Sequence, residues 1–282
     1  MQMINHKIVY KNNRTANIFY PKDFINNKEC ELPNLKENIE TMLEANIGFQ
    51  LEGRVLETIR FEVFGYRQQK TKITSYTLDV ELATKLISKT IIRCAKNIEL
   101  SKRIKIFVLP TYNKFIIQKM SGVGAFTLDS NTILLFLSPR KNWEKNLINT
   151  VAHEYAHSIT YRYHSPSTLL DSLVFEGIAE NFRDKVIGGL PTPLVKTLGK
   201  KRAHIILNDI RPHLNSTATK YYLSIFLGWD KKYPVWSGYS IGYHIVKSYL
   251  SDKTNLAWDT VFKENPANIF TGSTFFLQDQ NP

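Results

Sequence analysis

The sequence predicts an α+β protein with a small sheet ahead of a mainly helical C-terminal part. Two observations carry this. Between residues 104 and 137, apolar and β-branched residues come in short runs separated by Pro110 and by Asp129-Ser130-Asn131. From Ser138 to Phe262, apolar residues recur instead at spacings of three and four, the repeat of a helix with one buried face.

Residues 1 to about 75 are polar and mixed; a helix is expected near 35–45, followed by an apolar stretch over 55–64. A helix is next expected over 78–100, where Val80, Ala83, Leu86, Ile87, Ile91 and Ala95 share a face. Residues 104–109 read as a strand, and 122–128 and 132–137 as a hairpin turning at Asp129-Ser130-Asn131. A helix is then expected to open on Ser138 as N-cap with Pro139 in the first turn, where a missing N–H does no harm. It carries Leu147, Val151, Ala152, Tyr155, Ala156 and Ile159 and is expected to end near His164. Another opens at Ser167 or Thr168 and stops at Gly188-Gly189. Beyond Pro193, helical patterns recur near 203–210, 220–227, 240–250 and 256–262. The expected organisation is an N-terminal region of unassigned role, 1–75, and a second region, 76–282.

An apolar content of 43% with 12% aromatics is that of an ordinary globular chain and excludes wholesale disorder. No apolar run approaches the roughly 18 residues of a membrane span, and the polar segment Lys11-Asn12-Asn13-Arg14 interrupts any leader. The two cysteines, Cys30 and Cys94, are far apart, which speaks against a disulfide framework or a cysteine zinc site and for a cytoplasmic address. The formal charge of +12 is spread over clusters such as 67–72, 102–105 and 200–202. None falls in a nucleic-acid-binding motif, so nucleic acid is not the expected partner.

The chemistry concentrates in His153-Glu154-Tyr155-Ala156-His157. Four residues along a helix return a side chain to within about 40° of its starting direction, so the two imidazoles can share one metal ion. Glu154 lies beside the first ligand, where its carboxylate reaches a metal-bound water without binding the metal. A catalytic zinc site needs a third protein ligand, and Glu176, eighteen residues beyond His157 on the next helix, is the candidate. Glu180, one turn further, is expected to accept the second ring N–H of a zinc-bound histidine. Two carboxylates in an otherwise apolar helix need such partners. His164 sits at a helix end and is not expected to ligate. Asp171 and Asp184 are expected to be solvated.

The pattern of these residues, a glutamate eighteen positions after the second histidine in an EGxAE setting, resembles the gluzincins. The wider chain, over about 80–252, is similar to the YjaZ-type family of predicted zinc-dependent proteases. The resemblance rests on Gly122-Val123-Gly124-Ala125-Phe126 and residues 133–137, on 151–157, on 170–180, and on Pro234-Val235-Trp236-Ser237-Gly238-Tyr239-Ser240-Ile241-Gly242-Tyr243. It implies a zincin fold, a small mixed sheet over the metal-bearing helix with a helical lobe beyond. It implies one Zn2+ per chain and a peptide or protein substrate. By the same analogy Gly124 and Ala125 meet the substrate backbone, and Tyr239 or Tyr243, with His244 as a third candidate, donates to the oxyanion. The competing expectation is a zincin-like metal-binding scaffold without catalysis whose basic surface takes a partner. An intact Glu154 counts against it, since a structural site needs no base. Substrate preference, endo- against aminopeptidase action and oligomeric state are not written in these motifs.

Overall fold

In the computed structural model, residues 3–22, 32–48, 50–51, 53–65, 78–99, 103–138, 142–189, 191–251, 253 and 256–277 are described. The chain divides into two compact units, Met1–Glu154 and Tyr155–Pro282, and the boundary falls inside one helix. Cys30 and the basic cluster at 67–72 lie outside the described residues.

The first unit is built on a five-stranded mixed sheet of order β1-β2-β3-β5-β4. Its strands are β1 (Met3–Tyr10), β2 (Arg14–Pro21), β3 (Arg103–Pro110), β4 (Val123–Asp129) and β5 (Thr132–Leu137). Every residue of β5 is buried, as expected of a strand covered on both faces. It runs parallel to β3 and antiparallel to β4. The predicted hairpin is there, with Asp129 Oδ1 accepting from the Asn131 N–H at 2.6 Å to close its turn. The edge strands of the sheet are β1 and β4.

Strands β1 and β2 were not expected. They form an antiparallel pair turned by Asn12 and Asn13, whose φ values of 58° and 55° lie in the left-handed region that asparagine tolerates. Their alternation is masked by His6, which turns inward against Tyr20, and by Val9, which faces solvent. Among the described residues, three helices lie between β2 and β3: α1 (Leu32–Ile47), α2 (Gly53–Phe64) and α3 (Val80–Ala95). Asp79 caps α3 by accepting from the Leu82 N–H. The buried Cys94 has its thiol pKa pushed up by desolvation, so it stays a protonated core residue. A short helix, α4 (Lys114–Lys119), precedes β4.

Both ends of the next helix differ from expectation. Helix α5 runs Glu144–Thr160, so it neither begins at Ser138 nor reaches His164. The Ser138 N–H donates to the Gly122 carbonyl, which prolongs the strand ladder, and Asn142 has a φ of 84°, incompatible with a helix through that position. Pro139 lies outside the described residues.

The second unit is helical. Helix α6 (Leu169–Ile187) opens with a capping box, Thr168 and Asp171 each accepting from the other's backbone, and closes at Gly188. Asp171 is therefore a cap and not a merely solvated charge. There follow α7 (Pro193–Lys196), α8 (Lys200–Ile210), α9 (Thr219–Leu227), α10 (Ser237–Ser251), α11 (Trp258–Lys263), α12 (Pro266–Thr271) and α13 (Thr274–Leu277). Helix α10 lies directly on α6 because both carry glycine at the crossing. A methyl group on Gly177 would stand 2.2 Å from the Gly242 carbonyl oxygen, and one on Gly242 would stand 2.0 Å from that of Leu173. No described helix is long and apolar enough to cross a membrane.

Candidate metal centre

Helix α5 buries Leu147, Val151, Ala152, Tyr155, Ala156 and Ile159, and the same wide stripe carries His153, Glu154 and His157 inward with them. The two histidines are only 8% and 5% exposed and Glu154 5%, a degree of burial that polar groups tolerate only when they have partners. Glu176 supplies one. Its Oε2 lies 3.3 Å from His157 Nε2. One ligand atom from each of His153, His157 and Glu176 lies within 4.8 Å of the other two. Ligands about 2.0–2.1 Å from a tetrahedral zinc are about 3.4 Å from one another, so the cluster fits that ion with little rearrangement. Two imidazoles and a carboxylate are also a donor set that zinc takes in catalytic sites.

A family model described as a predicted Zn-dependent protease, DUF2268, matches residues 83–271. The chain belongs to this family. No curated protein matches it. The family segment takes in the whole metal cluster and the edge strand β4, and leaves β1, β2 and α2 outside.

Around the DUF2268 cluster, several side chains are fixed by neighbours that motif spacing does not reveal. Phe175 stacks on the His157 ring, centroids 4.1 Å apart and 7° from parallel, and Tyr161 meets Phe175 edge-on. Thr127 on β4 donates its hydroxyl hydrogen to Glu154 Oε2 at 2.7 Å. Glu62 on α2 is held up to a pKa of about 7, first by burial and then by the negative charge of Glu154. Tyr222 on α9 has its phenol raised mainly by desolvation, with the nearby charge of Glu176 and the proximity of Tyr161 adding to it. The Tyr222 residue is nonetheless 36% exposed, so its ring has an open edge while its hydroxyl end is crowded by protein.

The remaining expected residues have these places. Glu180 is 1% exposed and accepts from Arg183 Nη2 at 3.2 Å and from the Thr192 hydroxyl at 3.1 Å. Tyr239 packs its ring edge-on against Phe226, which in turn stacks on Tyr222. Tyr243 donates its hydroxyl to Asp184 Oδ2 at 3.1 Å and accepts from Lys247. Its phenol pKa is raised, chiefly by burial. His244 bonds the Leu198 carbonyl and His164 the Lys263 carbonyl. Gly124 and Ala125 lie on the edge strand β4.

Thr127 carried no sequence signal, and Phe175, although inside the segment 170–180, had no spacing that marked it as a partner of His157. Glu62 had one weak signal, an acid inside an apolar helical stretch.

Proposed function

We propose that the chain is a zinc-dependent peptidase in which His153, His157 and Glu176 hold one Zn2+ and Glu154 is the general base. One observation carries the reading above all: three metal donors converge on a helix that also buries a glutamate next to the first of them. Bound there, zinc would supply a Lewis acid and a water whose pKa is lowered to roughly 7. Glu154, itself no ligand, takes the proton from the attacking water and delivers it to the leaving amine. Thr127 orients that carboxylate through its 2.7 Å hydrogen bond, so the base is set before substrate arrives. Glu180, paired with Arg183 and Thr192, stiffens α6 one turn beyond Glu176 and in our reading steadies the ligand shell.

An extended substrate would add to the edge strand β4 along Gly124 and Ala125, presenting its carbonyl to the site. For the oxyanion donor, Tyr222 is better placed than Tyr243. The Tyr243 hydroxyl is engaged with Asp184, eight residues past Glu176 and therefore about 12 Å along the helix axis. Tyr222 feels the charge of Glu176 itself, and Tyr239 reaches the same aromatic group through Phe226. The substrate class, peptides or proteins, follows the family's description.

The test is Glu154→Gln, which removes the base and spares the ligands. We expect unchanged zinc content and a fall of about a thousandfold in cleavage of a quenched-fluorescence peptide library. Retention of wild-type turnover by that variant would end the mechanism, whereas a zinc-loaded wild type that cleaves none of the library would favour the metal-binding scaffold instead.

A further inference from the structure

The family segment begins at residue 83, yet a carboxylate from outside it stands within the electrostatic field of the proposed base. Glu62 belongs to the last turn of α2, and that turn is fastened with unusual care. Helices leave their last carbonyls without intrahelical partners. Here the Phe61 carbonyl accepts from Asn113 Nδ2, the Glu62 carbonyl from the Thr111 hydroxyl, and the Val63 carbonyl from the Tyr112 N–H at 2.7 Å. Gly65, at a φ of 71°, closes the helix with its N–H on the Phe61 carbonyl. Arg60, two residues back, is clamped by both oxygens of Glu40 on α1. The backbone beneath Glu62 is therefore fixed on two sides, by the segment after β3 and by α1.

The side chain is directed at the edge strand. A Cβ on Gly124 would stand 2.7 Å from Glu62 Oε2 and 2.9 Å from Ile116 Cδ1, so this glycine is what gives the carboxylate its place over β4. No hydrogen bond or ion pair reaches that carboxylate among the described residues, although protein crowds it strongly enough to resist ionisation. The residue retains an intermediate exposure. A half-open, crowded acid that feels the negative charge of another carboxylate gains most from a cation.

We propose that Glu62 is a specificity carboxylate that binds a positively charged group of the substrate, carried along β4 past Gly124. The inference rests on the peptidase reading. A peptide lying on that edge advances about 3.3 Å per residue, so the cation would belong within roughly three residues of the bond that Glu154 addresses. The cation has two sources, the free α-amino group of the substrate or a lysine or arginine side chain. They share one chemistry, a charge-assisted hydrogen bond to Glu62.

The experiment compares wild type with Glu62→Gln on matched quenched-fluorescence peptides. One pair differs in a free against an acetylated amino terminus. A second series places lysine or norleucine at each of the three positions on either side of the cleaved bond. Wild type should prefer the cationic member of one pair, and Glu62→Gln should lower its kcat/KM on that member by about 10- to 100-fold, mostly through KM, while leaving the neutral member within about twofold. The free-amine pair responding would assign the α-amino group; the lysine series responding would assign a side chain. An equal loss on cationic and neutral peptides, with unchanged thermal stability, would overturn the proposal by showing a general effect on the base. No loss on either would overturn it too. If wild type cleaves none of the peptides while binding zinc, the peptidase reading itself has failed, which is a different result from either of these.

Discussion

Glu154 on α5 and Glu62 on α2, the two carboxylates proposed to face a peptide's path, reach their positions by opposite routes. Glu154 sits in a helix whose own repeat puts two histidines on one face, and its position follows from local geometry alone. Glu62 owes its position to contacts about fifty residues distant in sequence, the Thr111–Asn113 anchors and the space left at Gly124. Chemistry encoded within one helix can be read from spacing. Chemistry assembled by tertiary contact is visible only once the chain is folded, and Glu62 itself lies outside the family segment.

The largest effect expected from this contrast is on the helical side. Gly177 follows Glu176 directly, and a methyl there would collide with backbone, not with a yielding side chain. Gly177→Ala should destabilise the protein by about 3 kcal/mol in urea denaturation, with loss of zinc retention as α6 and α10 separate. A variant within about 0.5 kcal/mol of wild type would show that the crossing is looser than described.

A smaller effect belongs to Glu62. Its carboxyl is raised from 4.5 to about 7 in the folded chain, so between those values the native state holds a proton that the unfolded state has lost. Stability therefore falls as pH rises through that window and stays lower above it. For chelator-treated protein the loss should be about 3 kcal/mol between pH 4.5 and 8, and Glu62→Gln should remove most of it. A wild type and variant with parallel stability profiles would mean that Glu62 is not crowded in solution, and would weaken its assignment as a cation receptor.

Much of the second half of the chain was legible in the sequence. The hairpin of β4 and β5, the capped α6 and the clustering of His153, His157 and Glu176 follow from turn residues, caps and helical spacing. The start of α5 was misplaced because Ser138-Pro139 carries a strong helix-opening pattern, while the Gly122 carbonyl claims the Ser138 N–H for the sheet. Strands β1 and β2 escaped notice because an inward His6 and an outward Val9 blur the two-residue alternation. Tyr222 and Thr127 were not legible for a further reason: single hydroxyls at no particular spacing acquire a role only through the group they face.

The central claim is that His153, His157 and Glu176 form one metal site. Its most direct test is plasma mass spectrometry of protein purified without added metal, alongside His153→Ala and Glu176→Ala. About one zinc per chain in wild type and a large loss in both variants, with each variant still folded by circular dichroism, is the predicted result. A wild type that takes up no zinc even when it is supplied, or variants that keep it in full, would contradict the account.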